Sequence, residues 1–444
     1  MRSMRRALLA GLLALASSTA SAAEVSVQET LLRAKPAVAL VVSEVSSEVR
    51  LRCASGGDVT VTPPPFRETG TGWFISPSGW VITNAHVVSP AFRPTEGLRT
   101  QQAQKAARPG CRAADVKLDP SISVILPNGF RLSATVAKYS PPVAGEGMSG
   151  QDLALLRLEA ADMPALALGD SNALNIGDRV HILGFPGIVL THELLNASAK
   201  MEASVTNGAI SGFKQDRAGQ PVIQTDASAA WGNSGGPAVD DAGRVVGVLT
   251  FVTLAPGEQD GIVQGFNFLI PSQAVQAFLE GTGVRLDEPS RFNEAWQAAL
   301  RDFFSGNHRR AEKALAEANR LLPELPDVKR LTTENAEKIK NPPPTPFPWA
   351  LVATAVTVVS LGAFGGLLGL RWRRNRFRIR PSDVMKLIET SPQPPVILDV
   401  REATTYARSP VRIPNSLHVT PQALESGSSQ VPVEPDRTVV AYCT

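Results

Sequence analysis

The sequence predicts a multidomain chain: an all-β region, an α-helical spacer, one transmembrane helix and the start of an α/β domain. Three observations carry this expectation. The 444 residues are too many for one ordinary domain. From Val25 to about Gly283 the chain is a succession of short β-branched runs broken by Gly, Pro and Asn, the pattern of a barrel or a sandwich. From Trp349 to Leu370 it carries no charged residue. At about 1.5 Å per residue, a helix of that length crosses a hydrocarbon layer of about 30 Å.

Composition agrees with a folded body. Hydrophobic residues at 43% and charged residues at 19% exclude a mostly disordered or fibrous chain. Lys and Arg total 44 against 41 Asp and Glu, for a net charge of +3, so nothing points to nucleic acid as a partner. Three Cys without a CxxC pair and five scattered His without an HExxH speak against a structural zinc or zincin site. No metal is expected.

Taken in chain order, residues 1–23 open on Arg2, Arg5 and Arg6, continue in the apolar run Ala7–Ala16 and close on small residues. That is the order of a secretory signal. Cleavage after Ala22 or Ala23 is expected, with an uncleaved anchor as the alternative. Strand-like runs follow at Gly79–Val88, Ser121–Leu126, Val180–Leu183, Val222–Gln224 and Arg244–Phe251, and Ser272–Leu279 reads as a closing helix stopped by Gly281. Over residues 284–340 the period changes. Trp296, Leu300, Phe303 and Phe304, then Ala311, Leu315, Ala318 and Leu322 beyond Gly306, recur at helical spacing. The run FFSGNHRRAEKALAEANRLLPE resembles one tetratricopeptide unit, and a plain helical hairpin accounts for it as well. A Pro-rich linker, 341–348, leads into the apolar helix 349–370. Six Arg from Arg371 to Arg380 mark its cytoplasmic end. The region before the helix is therefore expected on the exported, periplasmic side of the inner membrane, and residues 381–444 in the cytoplasm. Gly362 and Gly366 form a GxxxG, a small hint of helix pairing.

Three islands in the β region carry chemistry: ITNAHVV around His86, QDLALLRL around Asp152 and WGNSGGP around Ser234. Singly, each has a structural explanation as a buried His, an Asp beside a strand or a Gly-rich turn. Together, in the order His, Asp, Ser, they match the chain order of trypsin-like proteases. The residue types suit the task. A Ser hydroxyl is a weak nucleophile and needs a base near neutrality, which His86 supplies. Asp152 would hold the imidazole in the right tautomer and stabilise the imidazolium. Gly232 can adopt backbone conformations other residues resist, so the N–H groups of Gly232 and Ser234 are the candidate oxyanion hole. Such a triad is chemically complete, and no cofactor is implied.

The same residues resemble the protease domain of the HtrA (Deg) family of trypsin-like serine endopeptidases. The supporting stretches are TGTGWFISPSGWVITNAHVV, DLALLRL, LGDSNALNIGDRVHILGFP, IQTDASAAWGNSGGPAVDDAGRVVGV and GFNFLIPSQ. The resemblance covers roughly residues 25–283 and implies a two-barrel body, polypeptide substrates that are exported and misfolded, and a homo-oligomer, often a trimer. It departs from the family where the spacer and apolar helix stand in place of a PDZ-like segment. Two insertions, near Cys53 and Cys111, and Trp231 just before the GNSGGP turn also depart from it. By the resemblance, the residue six before the nucleophile, Ser228, lies at the base of the substrate pocket, and Trp231 either narrows that pocket or points away from it. Ala227, Ala229 and Ala230 then suggest a neutral pocket and cleavage after Val, Ala or Ile, since an unpaired Lys or Arg head would be costly to bury. A bridge between Cys53 and Cys111 would tie down two long loops in an oxidising compartment; two free thiols are the alternative.

The C-terminal segment resembles a second family. VILDVREATTYARSPVRIPNSLHV and RTVVAYC look like the opening of a rhodanese-like domain and the strand that delivers its persulfide-carrying Cys, here Cys443. A reactive thiolate needs a positive, N–H-rich loop, and the sequence as given stops one residue later, so 381–444 is expected to be a truncated domain without sulfur-transfer activity. The function expected is thus a membrane-tethered serine endopeptidase. Its competitors are a chaperone-like or adaptor binding module on a protease fold and, in a longer chain, a sulfurtransferase.

Overall fold

Alternation along the strands explains the architecture. The computed structural model describes residues 26–54, 56–141, 150–216, 218–254, 262–286, 288–342, 347–427 and 433–443, with the backbone alone at 251–254 and 262–264. The signal at 1–23 and residues 343–346 of the linker lie outside the described residues. Two compact units result, residues 1–343 and 344–444.

In the first unit, β1 (Val38–Cys53), β2 (Asp58–Val61), β3 (Phe66–Ser76), β4 (Trp80–Thr83), β5 (Cys111–Ile125), β6 (Arg131–Ser140) and β7 (Leu153–Leu158) form one antiparallel sheet in the order β2-β1-β3-β4-β7-β6-β5. Because β5 also pairs with β1 along most of its length, six of these strands close into a barrel. A second closed barrel, β10-β13-β12-β11-β8-β9, is built from β8 (Arg179–Gly184), β9 (Ser204–Gln215), β10 (Pro221–Thr225), β11 (Pro237–Val239), β12 (Val245–Leu254) and β13 (Ile262–Pro271). Closure leaves few strand edges to pair with other chains.

Successive side chains on a strand point to opposite faces, and here both faces are buried. Ala39 and Val41 of β1 and Ala154 and Leu156 of β7 enter one core, while Val38, Leu40, Leu153 and Leu155 enter another, shared with Leu183, Phe185, Val239 and Val248 of the second barrel. The two barrels are joined by that apolar seam. The helix Ser272–Leu279, where the sequence places it, adds Val275, Phe278 and Leu279 to the seam.

Three expectations need correction. The run Gly79–Val88 is not one strand: β4 ends at Thr83, and a helix spans Ala85–Phe92. Val87 and Val88 cost that helix only tenths of a kcal/mol in propensity, which their complete burial outweighs. The second correction concerns the spacer. Helices Arg291–Phe304, His308–Leu321 and Pro326–Lys340 form no separate body, because Phe292, Trp296, Leu300, Ala311, Leu315 and Ala318 belong to the first barrel's core cluster. Trp296 also donates its indole N–H to the Leu32 carbonyl at 2.7 Å. The three helices do not bury their apolar faces alone but in a cluster shared with the barrel. Full burial of each large apolar side chain contributes ~1.5–3 kcal/mol. Third, Cys53 and Cys111 do not tie two loops together. They join one end of a strand pair, the last residue of β1 to the first of β5, in register, with their sulfurs bonded at 2.00 Å.

The second unit holds a helix over Trp349–Asn375, which continues past the expected end at 370 into the Arg cluster. Among the described residues it is the one helix long and apolar enough to cross a membrane, by length and composition. Beyond it, β14 (Val396–Asp399) pairs in parallel with β15 (Leu417–His418) and β16 (Val439–Tyr442). The helices Pro381–Thr390, Ala403–Arg408 and Pro421–Glu425 accompany this sheet. Buried Asp399 accepts from Arg401 and from the Tyr442 hydroxyl, and Cys443 is an exposed free thiol.

Candidate active site

The site lies where the first barrel meets the second. Thr83 ends β4, and Asn84 takes an extended conformation as the N-cap of helix Ala85–Phe92, which places His86 in the first turn. The Asn84 side chain donates to the Asp152 carbonyl at 2.8 Å, and the Ala85 N–H donates to the same oxygen at 3.2 Å. Asp152 itself, just before β7, has a left-handed backbone (φ 52°), a strained setting for a residue with a Cβ. The local bonds on both sides hold it there.

The carboxylate of Asp152 accepts three donors. Its Oδ1 accepts the His86 backbone N–H at 3.0 Å. Its Oδ2 accepts both His86 Nδ1, at 2.8 Å, and the Thr250 hydroxyl, at 2.7 Å. With Nδ1 so engaged, Nε2 is the imidazole nitrogen left for proton transfer. Burial alone would push the His86 pKa down. The hydrogen bond that His86 donates to Asp152, the charge of Asp152 and that of Glu68 outweigh burial, and the pKa lies above its ordinary 6.5.

Ser234 enters from the other barrel. Its carbonyl accepts the Thr71 N–H at 2.8 Å, and its Oγ lies 3.5 Å from the Thr250 carbonyl. Thr250 therefore touches both Asp152 and Ser234. Thr71 of β3 clamps the turn further: its hydroxyl donates to the Gly232 carbonyl at 2.7 Å and accepts the Phe185 N–H at 2.9 Å. Gly232 has φ +96°, and a Cβ there would stand 2.4 Å from the Phe185 carbonyl oxygen, so only glycine fits. Among the described residues, neither the Gly232 nor the Ser234 N–H donates to a protein acceptor. Two free donors beside a serine hydroxyl are what an oxyanion hole requires.

The expected substrate-pocket residues are placed differently from one another. Trp231 is 52% exposed, its carbonyl accepting the Gly187 N–H at 2.6 Å. Ser228 is exposed, its carbonyl held by the Thr206 hydroxyl. Ala227 and Ala229 point into the second barrel's core and line no pocket, because alternate residues of this extended segment face opposite ways. Sequence reasoning missed Asn84, Thr71, Thr250 and Glu68. Asn84 and Thr71 lie inside the motif stretches and could have been flagged there; Thr250 and Glu68 carry no local signal.

The structure thus bonds His86 to Asp152 and links Asp152 to Ser234 through Thr250, and among the described residues no hydrogen bond joins His86 to Ser234. This part of the chain, residues 70–248, matches the family model of the trypsin-like peptidase domain. It is similar to HtrA-type proteases in particular. The probable periplasmic serine endoprotease DegP-like of Chlamydia pneumoniae is 29% identical over 207 residues, 46% of this chain and 32% of that protein. The serine protease HTRA4 of Homo sapiens is 30% identical over 212 residues, 48% of this chain and 34% of that protein. A solved structure, the HtrA-type protease AlgW with tripeptide, is 25% identical with a TM-score of 0.37, covering 57% of this chain and 64% of that one. The chain spans about a third of the length of the two curated relatives named.

Proposed function

We propose that this chain is a membrane-tethered serine endopeptidase that hydrolyses peptide bonds in exported, misfolded polypeptides. The observation that carries the reading is the Asp152 carboxylate. It bonds the imidazole and backbone of His86 while Thr250 joins it to the turn that bears Ser234.

In this mechanism the Ser234 hydroxyl attacks the substrate carbonyl as His86 Nε2 takes its proton. Asp152 stays ionised and stabilises the imidazolium. The tetrahedral oxyanion is received by the N–H groups of Gly232 and Ser234, each worth about 3–4 kcal/mol in the transition state. His86 then gives its proton to the departing amine, and water hydrolyses the acyl-enzyme by the same steps reversed in role. Ser228, uncharged, and Trp231 beside it favour Val, Ala or Ile before the cut bond. The helix Trp349–Asn375, ended by its Arg cluster, supports an anchor in the inner membrane with the protease on the periplasmic side.

A fluorophosphonate probe tests both parts at once. The full-length chain, expressed with its signal, is expected to be labelled in the membrane fraction and to resist carbonate extraction. Ser234→Ala should lose the label. An unlabelled wild type would end the protease reading, and label released by carbonate would end the tether.

A further inference from the structure

One acid beside His86 has no place in the triad. Glu68 lies on β3, two residues before Gly70, and on a strand these two positions share a face. A Cβ on Gly70 would meet the Val87 side chain at 2.5 Å and the Ser234 carbonyl oxygen at 3.0 Å, so that face looks onto the catalytic residues. The cross-strand partner of Glu68 is Ser43 of β1, whose hydroxyl accepts the Ala91 N–H at 3.1 Å. Ala91 belongs to the helix that carries His86. Both neighbours thus direct Glu68 to the sheet face that this helix covers.

The carboxyl is half-buried and makes no hydrogen bond or salt bridge among the described residues. The adjacent cation, Arg67, is paired with Glu44. The charge of Glu68 is nevertheless felt at His86, and that of His86 at Glu68. Burial raises the pKa of this carboxyl and the charge of His86 opposes the rise, so a cation brought beside it is favoured.

Its place relative to the scissile bond follows from the chemistry. Ser228 and Trp231, beside the residue before the cut, belong to the second barrel, whereas Glu68 belongs to the first. His86 must reach the departing amine to protonate it. A side chain next to His86, on the first barrel, therefore faces the residues that follow the cut. We propose that Glu68 is a specificity residue for the leaving-group side of the substrate, selecting polypeptides with Lys or Arg within the first two positions after the scissile bond. The inference rests on the endopeptidase reading and deepens it.

The test compares kcat/KM of the full chain for peptides that share a Val before the cut and differ only in carrying Lys, Ala or Glu just after it. The wild type should cleave the Lys peptide about fivefold to tenfold better than the Glu peptide at low salt, with the ratio falling as salt screens the pair. Glu68→Gln should bring the ratio near one, and Glu68→Lys should invert it. An equal wild-type rate on the Lys and Glu peptides, or an unchanged ratio in Glu68→Gln, overturns the inference while leaving the endopeptidase reading intact. A wild type that cleaves none of the peptides overturns both. Because each variant is judged by a ratio within itself, partial misfolding cannot imitate the result.

Discussion

The two barrels hold their halves of the site by different means. On the first barrel, His86 and Asp152 are fixed by side-chain bonds: two carboxylate oxygens take three donors, and Asn84 ties down the Asp152 carbonyl. On the second, Ser234 is fixed by its backbone. The turn depends on Gly232 at φ +96° and Gly235 at φ +86°, and on the Thr71 clamp reaching across from β3. His86 and Asp152 are thus held by charge and hydrogen bonds. Ser234 and the two free N–H groups are held by a shape that only glycine permits. Substitutions should fail differently in the two halves.

The largest effect is expected at the charged half. In Asp152→Asn, the new amide would replace an acceptor that serves both His86 Nδ1 and the Thr250 hydroxyl, and the imidazole would be driven to the wrong tautomer. The kcat should fall by about 10⁴ with a much smaller change in KM. Steady-state kinetics on a Val-containing peptide checks this; a loss under about tenfold would mean that Asp152 is not the orienting group.

Gly232→Ala probes the glycine half. Its Cβ would meet two backbone atoms, the Phe185 carbonyl oxygen at 2.4 Å and the Gly187 nitrogen at 2.9 Å, and neither can step aside as a flexible side chain would. The turn must move, withdrawing a donor from the oxyanion position. We expect a loss of about 10²–10³ in kcat, or about 3–4 kcal/mol of transition-state stabilisation. Gly281→Ala is the control. That glycine also has positive φ, +75°, but open space around it, so it should lower thermal stability slightly and spare kcat. Equal losses in both variants would show that backbone strain, not the position of the donor, governs the nucleophile turn.

The difference between the halves also explains what the sequence could reveal. His86, Asp152 and Ser234 are legible because each sits in a short run whose local chemistry is distinctive. Thr250 is not, since it meets Asp152 across 98 residues within an ordinary apolar strand. The helical period of Trp296, Leu300 and Phe303 is legible, but not the surface it covers, because periodicity tells which face is buried and not against what. The run Gly79–Val88 reads as one strand because β-branched residues signal strand, whereas beyond Asn84 the burial of Val87 and Val88 on a helix overrides that signal. Ala227 and Ala229 suggest a pocket by their size and their place beside Ser228; their burial in the second barrel's core follows from neighbours distant in the sequence.

The smallest effect should be the most discriminating, because it separates Glu68 from the rest of the charged half. His86 must be neutral to take the Ser234 proton, so activity rises with pH through its pKa. That pKa lies above 6.5: burial lowers it, and the bond and charge of Asp152 together with the charge of Glu68 more than restore it. The acid limb of kcat/KM should therefore lie above the ordinary histidine value. In Glu68→Gln, burial and Asp152 persist while one raising charge is gone, so the limb should move to lower pH. Damage to the fold would instead lower the plateau and leave the limb where it was. A neutral peptide, with Ala after the cut, keeps the substrate uncharged while the profile is measured. A limb that stays put or moves to higher pH in Glu68→Gln would show that His86 does not feel this carboxylate, and that Asp152 alone sets its charge.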